Sequence, residues 1–363
     1  MLMKIESVQV ELLKVPANML YEAAGHSVSH NWHILSRIVV EDGTEGIGWL
    51  VNTRPAFIYP LYEATKELGD LLVGENVYKN EYLYGLMNSY GNWVGPGGFL
   101  NMAMSSLDIA VWDVKAKLAG QSVSNLLGGN SNSVNSYASD RLWYSMPIEE
   151  LLESAKQHVA AGHSRIKLRI GKVDDISEQI NRINRLKEEY EHLDIMLDAT
   201  ESWSLSEARS FGEALSQAGI IWLEDPIYHL DLKGLRILKE NLSVPIAGGE
   251  HLYTFESFRD TVDNSSLDVV IIDLSRVGGV TPWIKVAHMC ESANILLAGH
   301  VLPEFHVHLL SAVTNGYLVE DMPRSENIIR TKLEINQGNM MVPQGNGFGI
   351  ELDEDACTRY RVS

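Results

Sequence analysis

Along the first fifty residues apolar and polar positions alternate, with Ile5, Val8, Val10 and Leu12 recurring roughly every second residue, as on a half-buried strand. The pattern predicts strands over 5–13, 34–41 and 46–51, the last two joined by the turn Glu41-Asp42-Gly43. The period then lengthens to that of a helix over 56–72 and 102–118, where Gly120 stops it. Strands followed by helices read as an α+β unit over residues 1–130.

After Gly128-Gly129 the texture changes to short apolar runs alternating with helical stretches, the signature of a parallel sheet built from β-α units. The strands are expected at 135–139, 164–170, 194–198, 220–224, 245–249, 269–274, 295–299 and 317–320. Helices are expected at 148–161, 177–190, 206–218, 232–240 and 282–292, several entered by Ser, Asp or Pro. Eight such strands favour a closed (β/α) barrel over residues 131–330. A doubly wound sheet stays open, although no G-x-G-x-x-G follows the first strand. Residues 331–363 carry Gly345, Gly347 and Gly349 without a β-α unit, and are expected to return to the N-terminal domain.

Composition narrows the partners. A chain of 363 residues with 45% hydrophobic content can bury a barrel-sized core and a companion domain. Its formal net charge of -19 opposes nucleic acid and anionic membranes. No run approaches the ~20 apolar residues of a membrane span, and residues 1–15 lack the basic and apolar regions of a secretion signal. Cys290 and Cys357 are too few for a disulfide framework, so a cytoplasmic setting is expected. The expected partner is a small-molecule carboxylate, and the assembly a homo-oligomer.

The chemistry-bearing residues cluster at the expected strand ends, which in (β/α) barrels form the active-site face. Lys167 and Arg169 fall on the second strand, Asp198 on the third, Glu224 on the fourth and Glu250 after the fifth. Asp273 lies on the sixth, His300 after the seventh and Glu320 on the eighth. Asp198, Glu224 and Glu250 are 26 residues apart both times (224 − 198 and 250 − 224) and belong to successive, hence neighbouring, strands. Three crowded carboxylates repel unless a cation sits among them, and all-oxygen ligation favours a hard ion such as Mg²⁺. Lys167 and Arg169 alternate with apolar residues and so share one strand face, the barrel interior. Asp273 and His300, on adjacent strands, can hydrogen-bond, which would fix the imidazole tautomer.

These residues resemble a family. K-L-R at 167–169, L-D-A-T-E-S-W at 197–203, L-E-D-P at 223–226, G-G-E at 248–250, D-L-S-R-V-G-G at 273–279 and G-H-V-L-P-E at 299–304 are similar to signatures of the enolase superfamily, mandelate racemase subgroup. So are S-L-D-I-A-V-W-D at 106–113 and L-L-G-G at 126–129. The resemblance implies a modified TIM barrel, (β/α)7β, under an N-terminal α+β capping domain, with one Mg²⁺ per subunit on Asp198, Glu224 and Glu250. It also implies Lys167 against the substrate carboxylate, His300 with Asp273 as base, and Glu320 hydrogen-bonded to the enolic oxygen. Arg169 stands where the family's racemases carry a second lysine base, and a guanidinium is a poor proton acceptor. Thr200 replaces a common Asn, from which nothing follows. One base suits dehydration of a sugar acid, aldonate or aldarate, to a 2-keto-3-deoxy acid. The alternatives are a racemase or epimerase using Arg169, a cycloisomerase, and a silent binding protein on the same fold. By family analogy Tyr21, His26, His30, Asn31, Trp32, Asn52 and Arg54, with the segment 90–93, would meet the substrate.

Overall fold

The computed structural model describes residues 2–23, 26–52, 54–172 and 176–363, and of residues 19–23 and 26 the backbone alone. Strands β1 (Ile5–Ala23), β2 (His26–Val40) and β3 (Glu45–Asn52) form an antiparallel meander. The alternating segments make its core, and β1 and β2 run on as an arm with Val15 opposite Asn31 and Tyr21 opposite Val28. Polar residues such as Ser27, Ser29, His30 and Asn31 fill the arm, so no apolar period announces it. Three helices follow: α1 (Pro55–Asp70), α2 (Asn80–Gly91), which the pattern did not predict, and α3 (Gly98–Leu118).

Fifteen of the 21 residues of α3 are buried, because the helix lies between the meander and the barrel and packs on both sides. Close approach is bought by two glycines. A Cβ at Gly46 would collide with the Ala110 carbonyl, and one at Gly48 with that of Ser106. On its far side α3 holds the barrel: the Asp108 carboxylate accepts the Thr281 amide at 2.8 Å and the Thr281 hydroxyl at 2.7 Å.

After α4 (Val123–Leu126) comes the barrel. Its elements are β4 (Ser133–Ala138), α5 (Ile148–Ala160), β5 (Arg165–Arg169), α6 (Ile176–Glu189), β6 (Asp194–Asp198), α7 (Leu205–Ser216), β7 (Leu223–Glu224) and α8 (Leu232–Asn241). There follow β8 (Ile246–Gly248), α9 (Phe255–Asp263), β9 (Val269–Asp273), α10 (Leu274–Val277), α11 (Val280–Ser292), β10 (Leu296–His300), α12 (Pro303–Ser311) and β11 (Gly316–Asp321). The eight strands pair in parallel and in sequence, and β11 closes on β4, so the open doubly wound alternative falls away. Inside, Tyr137, Met196, Trp222, Ala247, Val269, Ile271, Ala298 and Leu318 fill the lower barrel.

The last residues stitch both halves together. The hairpin of β12 (Ile335–Asn336) and β13 (Asn339–Met341) lies antiparallel to β4. Phe348 donates its amide to Asp113 of α3 at 2.9 Å. After α13 (Glu354–Tyr360) the Val362 amide reaches the Leu12 carbonyl of β1 at 2.8 Å. Among the described residues no helix is long and apolar enough to cross a membrane.

Candidate active site

The parallel register brings the strand ends level. Arg169 lies opposite Asp198, Asp198 opposite Glu224, and Asp273 opposite His300. Glu250 comes two residues after β8, past Gly249, whose φ of 117° turns the chain over the rim. Thr200, Glu201, Asp225, Val301 and Leu302 on the same rim all adopt left-handed backbone, a conformation that costs non-glycine residues energy and gathers at functional sites.

Below the rim, Lys167 is wholly buried, its Nζ 2.7 Å from Glu224 Oε1 and 3.1 Å from Glu320 Oε1. Burial opposes its charge, but those two carboxylates raise its pKa well above the ordinary value. Lys167 thus lies between two glutamates and is not among the residues that line the cavity above, where the resemblance implies a substrate carboxylate. Glu320 is equally buried and accepts the Ser139 hydroxyl at 2.6 Å and the Val301 amide at 2.9 Å. Against its burial, Lys167, His300 and Arg169 hold it far below the carboxylate range. An ionised carboxylate only accepts, so the hydrogen bond to an enolic oxygen that the resemblance implies for Glu320 would be donated by the enol.

Arg169 stands higher. Its Nη1 donates to the Ser139 carbonyl at 2.7 Å, its Nε lies 3.5 Å from Asp198, and its guanidinium stacks 4.8 Å from the Trp143 ring centroid. Burial works against its charge, yet Glu320 and Asp198 raise its pKa further, so the guanidinium is kept charged.

Across the rim, the His300 Nδ1 is 2.7 Å from Asp273 Oδ2 and its Nε2 is 3.0 Å from Glu250 Oε2. Despite burial, Glu250 and the Asp273 hydrogen bond raise the imidazole pKa. Arg276 anchors the same corner, donating to the Glu250 carbonyl at 2.6 Å and to its carboxylate at 3.3 Å. Burial notwithstanding, His300, Arg276 and His251 hold Glu250 well below its ordinary value.

Burial raises Asp198, lifts Glu224 to about 8 and puts Asp225 well above its ordinary value. The neighbouring carboxylate charges add to each shift. Such a set suits a hard divalent cation, which would relieve the repulsion. Of the three expected ligands, only Glu250 belongs to the group whose ligand atoms meet within 4.8 Å among the described residues, together with Asp225 and His251. Asp198 and Glu224 stand on the adjoining strand ends, each drawn to its own cation, Arg169 and Lys167. The Asp225 carboxylate, 4% exposed, accepts no hydrogen bond among the described residues, and His251 approaches it only at 3.8 Å. A rim of buried carboxylates with one left unbonded fits a bound cation.

A cavity of about 570 Å³ opens above these groups, lined by Arg169, Asp198, Asp225, Glu250, Asp273 and His300 from the barrel and by Val51, Asn52, Arg54 and Met102 from the capping side. Asn52 and Arg54 thus line this cavity. Trp32 does not: it is 7% exposed in the capping core, 6.0 Å from the Tyr59 ring, because β2 alternation turns it inward. His30 instead meets Ser29 Oγ at 3.0 Å and is not among the residues lining this cavity. Asn31 lines a separate polar cavity next door. The side chains of Tyr21 and His26 lie outside the described residues. Trp143, Tyr253, Arg276 and Arg324 also line the cavity and were missed. Arg276 lay inside the D-L-S-R-V-G-G run, so its motif was the available signal.

Residues 7–128 match the mandelate racemase/muconate lactonizing enzyme N-terminal domain and residues 150–356 the enolase C-terminal domain-like family, so the chain belongs to the mandelate racemase branch of the enolase superfamily. It is 31% identical over 324 residues to L-talarate/galactarate dehydratase of Salmonella typhimurium, covering 89% of this chain and 81% of that one. It is 29% identical to 3,6-anhydro-alpha-L-galactonate cycloisomerase of Streptomyces coelicolor, covering 99% of each. Among solved structures, L-talarate dehydratase from Polaromonas sp. JS666, complexed with Mg and L-glucarate, superposes with a TM-score of 0.93 at 27% identity, over 99% of this chain and 98% of that one.

Proposed function

We propose that this protein is a Mg²⁺-dependent lyase that dehydrates a sugar acid to a 2-keto-3-deoxy acid, with His300 as the single base. The observation that carries this reading is the asymmetry of the site. A carboxylate-paired imidazole faces the cavity from β10, while β5 offers a guanidinium that carboxylates keep charged. A racemase needs a proton acceptor on each face of the carbon, and Arg169 supplies none.

The residues divide the work as follows. Asp273 accepts from His300 Nδ1, and Nε2, which lies 3.0 Å from Glu250 in this structure, would take the α-proton once Glu250 turns to its role as a ligand. The same Nε2 then gives that proton to the departing β-hydroxyl as the Cβ–O bond breaks, so water leaves and the enol product tautomerises to the keto acid. Asp198, Glu224 and Glu250 would hold the metal, with Asp225 and His251 beside it. When bound, Mg²⁺ supplies positive charge where the second carboxylate charge develops. Arg169 would hold the substrate carboxylate in the place first expected of Lys167, which secures Glu224 and Glu320 from below.

Arg54, Arg276 and Arg324 around the cavity suit an acid with a second carboxylate, so an aldarate is favoured over an aldonate. The relatives that act on talarate and galactarate, and the neighbour holding L-glucarate, support that preference. The test is a screen of aldarates and aldonates with Mg²⁺, reading 2-keto acid. Turnover should appear with at least one aldarate and vanish in His300→Asn. Racemisation without keto acid, or turnover surviving in that variant, would overturn the reading.

A further inference from the structure

The turn that follows His300 is tied to the capping domain by one buried carboxylate. Val301 and Leu302 are both left-handed, with φ of 53° and 46°, and lead directly into Glu304 on the first turn of α12. Glu304 is 2% exposed, and no Lys, Arg or His stands within ion-pairing distance of it among the described residues. Its Oε1 accepts the indole N–H of Trp49 at 3.0 Å, and the same N–H approaches Ser325 Oγ at 3.0 Å. His33 of β2 reaches that hydroxyl from the other side, at 3.3 Å. The Trp49 ring packs on Phe305, centroids 4.5 Å apart.

Trp49 is a residue of β3, and two positions on the same strand presents Val51 to the cavity, followed by Asn52 and Arg54. The hydrogen bond therefore joins two walls of one cavity that belong to different parts of the fold. A strained turn such as 301–302 persists only when its surroundings over-determine it. On the barrel side that support is the Val301 amide on Glu320, and on the capping side it is Glu304 on Trp49.

We propose that Glu304 is a positioning residue, which through Trp49 fixes the His300 turn against the capping strand so that base and substrate-facing wall keep their separation. The inference rests on the reading of His300 as the base. Base placement bears on the chemical step more than on ground-state binding, and a misplacement of about 1 Å costs on the order of 100-fold. Glu304→Leu and Trp49→Phe, which keeps the packed ring, should each lower kcat by about 10- to 100-fold with KM changed less than about threefold. The primary deuterium isotope effect at the α-carbon should persist or grow in both.

Since both substitutions remove the same contact, the double variant should be no slower than the worse single one. Glu304→Gln, whose amide oxygen still accepts from Trp49, should stay within about threefold of the wild type. Wild-type kcat in both variants alongside a lowered melting temperature would reduce Glu304 to a structural role and overturn the proposal, as would losses confined to KM. If the wild type turns over no acid, the dehydratase reading is what has failed. Positioning is then read from the His300 ring ¹⁵N resonance, assigned by its loss in His300→Asn. A shift in Glu304→Leu but not in Glu304→Gln supports the proposal, and an unmoved resonance in Glu304→Leu overturns it.

Discussion

Asp273 uses its two oxygens for different ends: Oδ2 accepts from His300, and Oδ1 accepts the Arg276 amide and so caps α10. Asparagine is a good cap, so Asp273→Asn should fold normally and unravel only the imidazole tautomer. By analogy with catalytic dyads of this type, kcat should fall by about 10³- to 10⁴-fold with KM little changed. A variant retaining a tenth or more of wild-type kcat would remove Asp273 from that role. Glu304 offers a stability test. Burial pushes its carboxyl up to about 7, with hydrogen bonds from Ser325 and Trp49 opposing. A raised folded pKa means that the contribution is whole below the unfolded value, ordinarily near 4.3, and is lost as pH climbs through about 7. Glu304→Gln is neutral throughout, so its melting temperature relative to wild type should rise between pH 5 and pH 8, and parallel profiles would count against the buried proton. The Asp273–His300 pair was legible in the sequence, while the Asp273 cap on α10 and the buried Glu304 carboxyl were not. Residue types at strand ends were legible because parallel barrel strands deliver their C-terminal ends to one rim. Which cation meets which carboxylate was not, because Lys167 and Arg169 share one face at different depths, and depth decides that the first is buried between Glu224 and Glu320 while the second lines the cavity.

At the level of elements, the strands with a clean two-residue period were legible, since one solvated and one buried face impose it. Predicted and observed boundaries agree outright for β6, 194–198. The β1–β2 arm mixes polar and apolar residues without regular alternation, and α12, P-E-F-H-V-H-L-L-S, is buried on every side, so neither carries a period to read. Trp32 lies apart from the cavity for a related reason: the arm extends β2 through it, and alternation faces it to the core. The contact between β3 and α3 yields a prediction of its own. Gly48 leaves no room for a Cβ beside the Ser106 and Ala110 backbones, so Gly48→Ala must push strand and helix apart. The cost should be about 1–3 kcal/mol, seen as a lower urea midpoint with an unchanged m-value. Because β3 carries Val51 and Asn52 to the cavity wall, KM for the acid should rise as well, and a variant with unaltered midpoint and KM would show that the contact yields freely.

At the scale of the whole molecule, a chain of net charge -19 has gathered Asp198, Glu201, Glu224, Asp225, Glu250 and Asp273 on one barrel rim. That concentration opposes folding by self-repulsion and opposes an anionic substrate, and Arg54, Arg169, Arg276 and Arg324 offset it only in part. A divalent cation on the rim would answer both problems at once, which makes metal dependence of stability separable from metal dependence of catalysis. A ligand that binds only the folded state stabilises it by about 2.7 kcal/mol at a hundred times its dissociation constant. Chelator-treated protein should therefore melt lower than the wild type in Mg²⁺, with a midpoint that climbs as the logarithm of Mg²⁺ concentration. Asp198→Asn removes one of the repelling charges together with one expected ligand. Its metal-free midpoint should equal or exceed that of metal-free wild type, while its response to Mg²⁺ should be lost. Calorimetry with and without Mg²⁺ reads both quantities in one pair of scans. A variant that melts lower yet still responds to Mg²⁺ in full would mean that Asp198 is a structural carboxylate and that the cation sits elsewhere on the rim, with Asp225, Glu250 and His251 the next group to alter.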